Sequence, residues 1–333
     1  MIAKILVGLL LLICTAAALL WGGYNQALTA PVVLEQSQVI EIEKGDSFNR
    51  ITNKLLAQGI VINPLWFKLI AYKNKVTNKL KAGEYELKSG LSMPEILAIF
   101  VAGKSRQYSI TFLEGWSFKQ VLQQINKTPH IKNTLETSDY QSILTKLDLK
   151  YKHPEGLFFP DTYFFEKNTT DLSLLKKAYD KMQRVLTTEW DKKDNNLPLK
   201  DAYQALILAS IVEKETGAAV ERSQIAGVFT RRLNKGMLLQ TDPTVIYGMG
   251  DSYKGNIRYR DLRQPTPYNT YVIKGLPPTP IAMPGRAAIH AALHPAKGKS
   301  LYFVARGDGT GTHVFSATLK EHNNAVNKYQ RKR

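Results

Sequence analysis

Cysteine is almost missing from this sequence: Cys14 is the single one among 333 residues. An internal disulfide is therefore excluded, and a structural zinc site has too few thiols. Acidic residues are scarce too, 28 against 45 Lys and Arg, for a formal charge of +17 at pH 7. An excess of this size suits a polyanion or an anionic surface, such as nucleic acid, anionic lipid or a carboxylate-bearing wall polymer. The basic residues are dispersed, with only short runs such as Arg331-Lys332-Arg333. No Cys/His finger, aromatic-basic RNA signature or basic heptad helix accompanies them, so nucleic acid is not expected and stays only a weak alternative. Internal repeats and low-complexity tracts are absent. A hydrophobic content of 44% leaves room for a sizeable core.

Metal and phosphate chemistry also lack their usual residues. His290 and His294 stand four apart in HAALH, a spacing that can hold a metal, but the glutamate between the histidines of a zinc protease is missing. His130, His153, His313 and His322 are scattered. No metal and no cofactor is expected. Gly307 to Gly311 lacks the Lys-Ser/Thr and helix that follow a phosphate loop, and reads as a hairpin turn. No serine nucleophile elbow is present.

What is present begins at the N-terminus. Lys4 precedes an uncharged run, Ile5 to Tyr24, of the length that crosses a bilayer core. The next charge is Glu35, so the short tip should stay cytoplasmic and the rest be translocated. Residues 1–24 are expected to be an uncleaved single-pass transmembrane anchor. A cleaved signal peptide, using Ala16, Ala17 and Ala18, is the rival reading.

Periodicity then outlines an α+β protein. Residues 25–37 read as a polar linker. Residues 38–104 form a β-α-α-β-α pattern: alternation at Val39 to Glu43 and Lys81 to Leu87, helices after Ser47 and Asn63, and a capping box at Ser92 and Glu95. Residues 105–198 are a connecting region: a strand from Tyr108, helical chain from Ser117 to about Leu149 with a cap at Ser138, and a long helix from Asp171 to Trp190. Residues 199–333 hold the most apolar soluble helix, Leu199 to Thr216, hydrophobic from Ala205 to Val212 except Ser210. Irregular chain dominates from Thr241 to Gly285, and a helix, a hairpin and a final helix capped by Thr318 and Glu321 follow.

Glu213 and Glu215 end the apolar helix, just before Gly217, a C′ candidate. A carboxylate there meets the negative end of the helix dipole and leaves apolar surroundings, and both effects raise its pKa. Such a glutamate can protonate a glycosidic oxygen near neutral pH. Glu213 lies over Leu206, Ala209 and Ser210, while Glu215 is about 200° further round the helix. The alternative is surface pairing with Lys214, Arg222 or Arg231. Gln240, Thr241, Asp242, Tyr247, Tyr268, Asn269, Thr270 and Tyr271 mix amides, hydroxyls and aromatic faces suited to sugars; turn formation and loop packing are their alternative roles.

At these residues a family resemblance emerges. EGLFFPDTYFF (Glu155 to Phe165), ASIVEKET (Ala209 to Thr216), QTDPTVIYGMG (Gln240 to Gly250), PTPYNTY (Pro265 to Tyr271), GLPPTPIAMPG (Gly275 to Gly285), HPA (His294 to Ala296) and LYFVARGDGTGTHVFSATLKEHN (Leu301 to Asn323) occur in order. Together they resemble the endolytic murein transglycosylases of the YceG-like, MltG-type family. KGDSF (Lys44 to Phe48) sits where such chains carry a LysM-like module. The resemblance implies an α+β catalytic domain with a glycan-binding groove, held outside the cytoplasmic membrane by the anchor. It implies a lytic transglycosylase that cuts the β-1,4 bond between N-acetylmuramic acid and N-acetylglucosamine within peptidoglycan strands, leaving 1,6-anhydromuramic acid ends. Glu213 takes the place of the catalytic glutamate. Gln240, Thr241, Asn269 and Tyr271 are candidates for orienting the sugar, and Asp242 either supports a neighbour or shapes the turn. Peptidoglycan strands are the implied partner, with a peptidoglycan synthase as a second. The competing classes are an inactive wall-binding scaffold and a muramidase-type hydrolase.

Overall fold

The computed structural model describes residues 2–61, 63–136 and 139–330. The chain forms a mixed α+β structure in two compact units, Met1–Tyr108 with Phe164–Asn168, and Ser109–Tyr163 with Thr169–Arg333.

The first unit starts with α1 (Ile2–Thr29), which among the described residues is long and apolar enough to cross a membrane. Its side chains are exposed from Ile5 to Trp21. The helix continues into the stretch expected as a linker; Tyr24, at the end of the expected anchor, and Ala27, Val32 and Leu34 of the expected linker are buried in the core of the unit. The Tyr24 ring lies edge-on to Trp66 at 6.1 Å, with the Lys73 amine 4.8 Å above it. β1 (Gln38–Ile42), α2 (Phe48–Ala57), α3 (Pro64–Lys73), β2 (Gly83–Leu87) and α4 (Met93–Ala102) complete the β-α-α-β-α order. β1 and β2 pair antiparallel, placing Ile40 opposite Tyr85. The caps are local: Ser47 accepts from the Arg50 N–H, Asn63 from Leu65 and Trp66, and Ser92 and Glu95 form a reciprocal box.

Next come β3 (Tyr108–Thr111), α5 (Phe118–Lys127), β4 (Ile131–Lys132), α6 (Tyr140–Lys146), β5 (Thr162–Phe165), β6 (Thr169–Thr170) and α7 (Asp171–Trp190). After them follow α8 (Ala202–Glu215), α9 (Arg222–Asn234), α10 (Asp242–Met249), α11 (Arg286–Leu293), β7 (Tyr302–Ala305), β8 (His313–Ser316) and α12 (Leu319–Tyr329). Every sheet found is two-stranded. α8 is the hub of the second unit, packed against α7, α9, α10 and α11. Ala205 to Val212 are all buried, so the helix is enclosed as its apolar sequence requires. Ser210, the polar exception, is fully used: its hydroxyl donates to Ile207 O at 2.7 Å and accepts from the Ile281 N–H at 3.0 Å. That hydroxyl ties the Pro-rich segment before Gly285 to the hub.

Three local expectations need correction. The helical stretch from Ser117 to Leu149 is broken into α5, β4 and α6, because Pro129 cannot donate a backbone hydrogen bond and His130 adopts φ +67°. Within Thr241 to Gly285, Asp242 to Met249 is helical, with Pro243 in the first turn, where its missing N–H has no cost. α8 ends on an extended Thr216, not on a left-handed Gly217. Ser138 lies outside the described residues, and Asp139 caps α6 by accepting from the Ser142 N–H.

Candidate functional site

Both glutamates at the end of α8 are shielded from water, on different sides of the helix. Glu213 has a side chain only 7% exposed. Its Oε2 accepts the Gly285 N–H at 3.0 Å, while Oε1 faces Arg222 Nη2 at 3.7 Å, too long for a hydrogen bond. Burial pushes its pKa up and the negative charge of Glu114 adds to the rise; the Gly285 bond and the Arg222 and Lys214 charges oppose it. Two backbone segments form the wall here. Gly115 N–H donates to Met283 O at 2.9 Å and Met283 N–H returns to Trp116 O at 2.7 Å. A Cβ at Gly285 would collide with the Glu114 carboxylate, so glycine permits this close approach. Lys214 donates to Gly115 O at 3.2 Å.

Glu215 points into a hollow of about 440 Å³ shared with Arg232, Gln240, Asp242, Tyr271 and His313. It accepts a hydrogen bond from the Thr241 hydroxyl. Burial pushes its pKa up to about 7 against that bond. Arg232 is consumed by structure: it donates to Leu301 O, Leu238 O, Leu239 O and Gln240 Oε1. The Tyr271 hydroxyl donates to Asp242 at 2.6 Å. His313 is clasped by Glu221 through both its ring Nδ1 and its backbone N–H.

A third buried carboxylate, Glu155, faces a cleft of about 910 Å³ with Lys119, Tyr140, His153, Tyr247 and Tyr268. It accepts from the Phe118 N–H, at the start of α5, at 2.9 Å and from the Tyr247 hydroxyl at 3.1 Å. Burial again dominates, and its pKa is pushed up to about 7. Gly156, at φ +78°, lets this segment lie where any Cβ would collide with Pro280. Tyr247 and Tyr268 meet edge-to-face at 4.8 Å, and the Tyr268 hydroxyl lies 2.8 Å from that of Thr279.

The residues singled out from sequence thus divide. Gln240, Asp242 and Tyr271 gather with Glu215; Tyr247 and Tyr268 gather with Glu155; Glu213 lines neither hollow. Thr241, Asn269 and Thr270 are buried with their polar atoms committed. Asn269 donates to Asp261 O, Leu262 O and Gln264 O and accepts from the Tyr271 N–H. Thr270 Oγ1 accepts from the Thr241 N–H at 3.1 Å. Sequence reasoning gave no site role to Glu114, and met Glu155 and Gly285 only as ends of family motifs. Each adjoins a glycine or proline, which signals tight backbone but not which carboxylate the turn delivers. His290 and His294 do come together with Glu189, which Arg286 and His290 hold at 2.7 and 2.9 Å, and His294 pairs with Asp194. Arg286 supplies the counter-charge to Glu189, and the histidines join the cluster through hydrogen bonds.

Residues 40–328 match the model of the YceG-like family. An endolytic murein transglycosylase of Bacillus subtilis (strain 168) is 33% identical over 327 residues, covering 92% of this chain and 89% of that protein. One of Streptococcus pneumoniae serotype 2 is 29% identical over 90% of this chain, which spans 60% of that protein's length. The crystal structure of a yceG-like protein from Listeria monocytogenes aligns with a TM-score of 0.53 at 31% identity, over 87% of this chain and 99% of that one.

Proposed function

The chain belongs to the YceG-like family, and we infer that it is a peptidoglycan lytic transglycosylase in which Glu213 serves as both acid and base. The observation that carries this role is the state of the Glu213 carboxyl. It is nearly shut off from water, raised in proton affinity, and held through one oxygen by a backbone N–H. Oε1, without a hydrogen bond of its own to Arg222, is the oxygen we assign to proton transfer. Protonated Glu213 donates to the departing O4 of N-acetylglucosamine as the bond to C1 of N-acetylmuramic acid breaks. The muramic 6-hydroxyl then attacks C1 and returns its proton to Glu213, closing the 1,6-anhydro ring. No water is consumed, and one carboxyl suffices where a hydrolase uses two. Arg222 stabilises the carboxylate between the two transfers.

Within this reading Tyr247, Tyr268, Gln240, Asp242 and Tyr271 contact glycan from the two hollows. Thr241, Asn269 and Thr270 act through the backbone they hold. α1 anchors the enzyme in the cytoplasmic membrane, with the catalytic unit on the outer face. Burial of Tyr24 and Ala27 in the first unit supports retention of this helix over cleavage as a signal peptide. The β-α-α-β part serves as a LysM-like glycan contact or spacer, and nascent strands beside a synthase are the expected substrate.

The test is mass spectrometry of fragments released from purified peptidoglycan by the whole chain and by Glu213→Gln. Anhydro-ended fragments from the wild type alone establish reaction and residue. Reducing-ended fragments would instead make it a hydrolase, with Glu114, whose charge already acts on Glu213, as the second carboxylate.

A further inference from the structure

Beyond α10, the chain builds a hollow of about 880 Å³ whose lining includes Lys254, Arg258, Arg260 and Arg263. Asp261 is the only acidic side chain in that lining. Its carboxylate is turned inward: it accepts the Arg258 N–H at 2.8 Å and lies 3.7 Å from Arg260 Nε. Four cations against one engaged acid leave a positive concavity, which favours an anion. The loop is not a loose tail. Buried Asn269, 1% exposed, donates to the carbonyls of Asp261, Leu262 and Gln264, and so fixes the segment carrying the arginines. Tyr259 stands 72% exposed at its edge, with the Arg263 guanidinium 4.5 Å over its ring.

The hollow adjoins the Glu155 cleft along the chain. Tyr247, Gly250 and Asp251 line the cleft, Met249 and Ser252 line the hollow, and Lys119 of the cleft is paired to Asp251 at 2.7 Å. A glycan strand lying in the cleft therefore has a basic concavity beside it, within reach of its substituents. Those substituents are short peptides ending in carboxylates, which planar guanidinium groups recognise through paired hydrogen bonds. Resting on the transglycosylase reading above, we propose that the hollow formed by Lys254, Arg258, Arg260 and Arg263 is a subsite for the carboxylates of the stem peptides. It gives the enzyme a preference for strands that still carry their peptides.

The experiment compares the whole chain in detergent micelles on two substrates: intact peptidoglycan strands, and strands stripped of peptides by an amidase. The readout is the ratio of kcat/KM for the two, measured at low and high salt. The wild type should prefer intact strands, and Arg258→Gln/Arg260→Gln/Arg263→Gln should reduce that preference by about tenfold, the combined worth of three exposed ion pairs. High salt should do the same to the wild type. A wild type without preference, or a triple variant that keeps it, overturns the proposal. Loss of the preference to added pyrophosphate-bearing lipid but not to free stem peptide would also overturn it, by making phosphate the ligand. Anhydro-ended fragments from either substrate with the wild type show that the transglycosylase reading stands whatever the ratio; cleavage of neither sinks both.

Discussion

Two buried glutamates close α8, and the more strongly perturbed one is Glu215, not Glu213. Replacing each by glutamine separates a catalytic carboxyl from a merely buried one. Glu215 titrates at about 7 in the folded chain against an ordinary 4.5. Between these values the folded state holds more protons than the unfolded one, so stability falls as pH rises through that window, and the loss is complete above it. The difference corresponds to about 3 kcal/mol. Glu215→Gln removes this slope and keeps an oxygen for the Thr241 hydroxyl, but adds a buried N–H that costs about 1–3 kcal/mol if unpaired. Its net stability at pH 8 should thus match or exceed the wild type, and at pH 4.5 fall below it. Glu213→Gln should cost about 10²–10⁴-fold in turnover, the usual share of general acid–base catalysis. Glu215→Gln should stay within about tenfold of the wild type, since it changes no proton-transfer group. Denaturation in detergent micelles at pH 4.5 and 8, with counts of anhydro-ended fragments, reads both. An inactive Glu215→Gln beside an active Glu213→Gln would refute the assignment and move the chemistry to the other side of the helix.

Glu114→Gln removes a charge that raises the Glu213 pKa, so the high-pH limb of the kcat/KM profile should move to lower pH. Ser210→Ala leaves the buried Ile281 N–H without its acceptor and should cost about 1–3 kcal/mol, read by urea denaturation. Tyr247→Phe deletes a bond that favours ionised Glu155, so carboxyl NMR should show that group titrating higher.

Much of the architecture was legible because it is locally encoded. Capping boxes at Ser92 and Thr318 and the proline in the first turn of α3 mark helix starts through neighbouring atoms alone. The fully apolar run of α8 announced its enclosure, and the bounds of α11 and of the last hairpin follow from glycine and proline punctuation. What stayed hidden depends on distant partners. No spacing in the sequence pairs Gly285 with Glu213, Glu155 with Tyr247, or Asn269 with the arginine loop. Asn269 illustrates the difficulty: an amide among tyrosines suits a sugar, yet its whole hydrogen-bonding capacity is spent on backbone.

α1 enters the first unit without slack. Trp21 is exposed on the apolar helix and Tyr24 is already in the core, three residues or about 4.5 Å of helix later. If the helix spans the membrane, this unit cannot roam on a leash; it rides the lipid surface like a float on a short keel. The motion of this unit is then planar, by lateral diffusion within a thin layer. Lengthening the helix by whole turns would raise the first unit in steps of about 5.4 Å, so the height of that unit above the lipid is written in the length of its anchor.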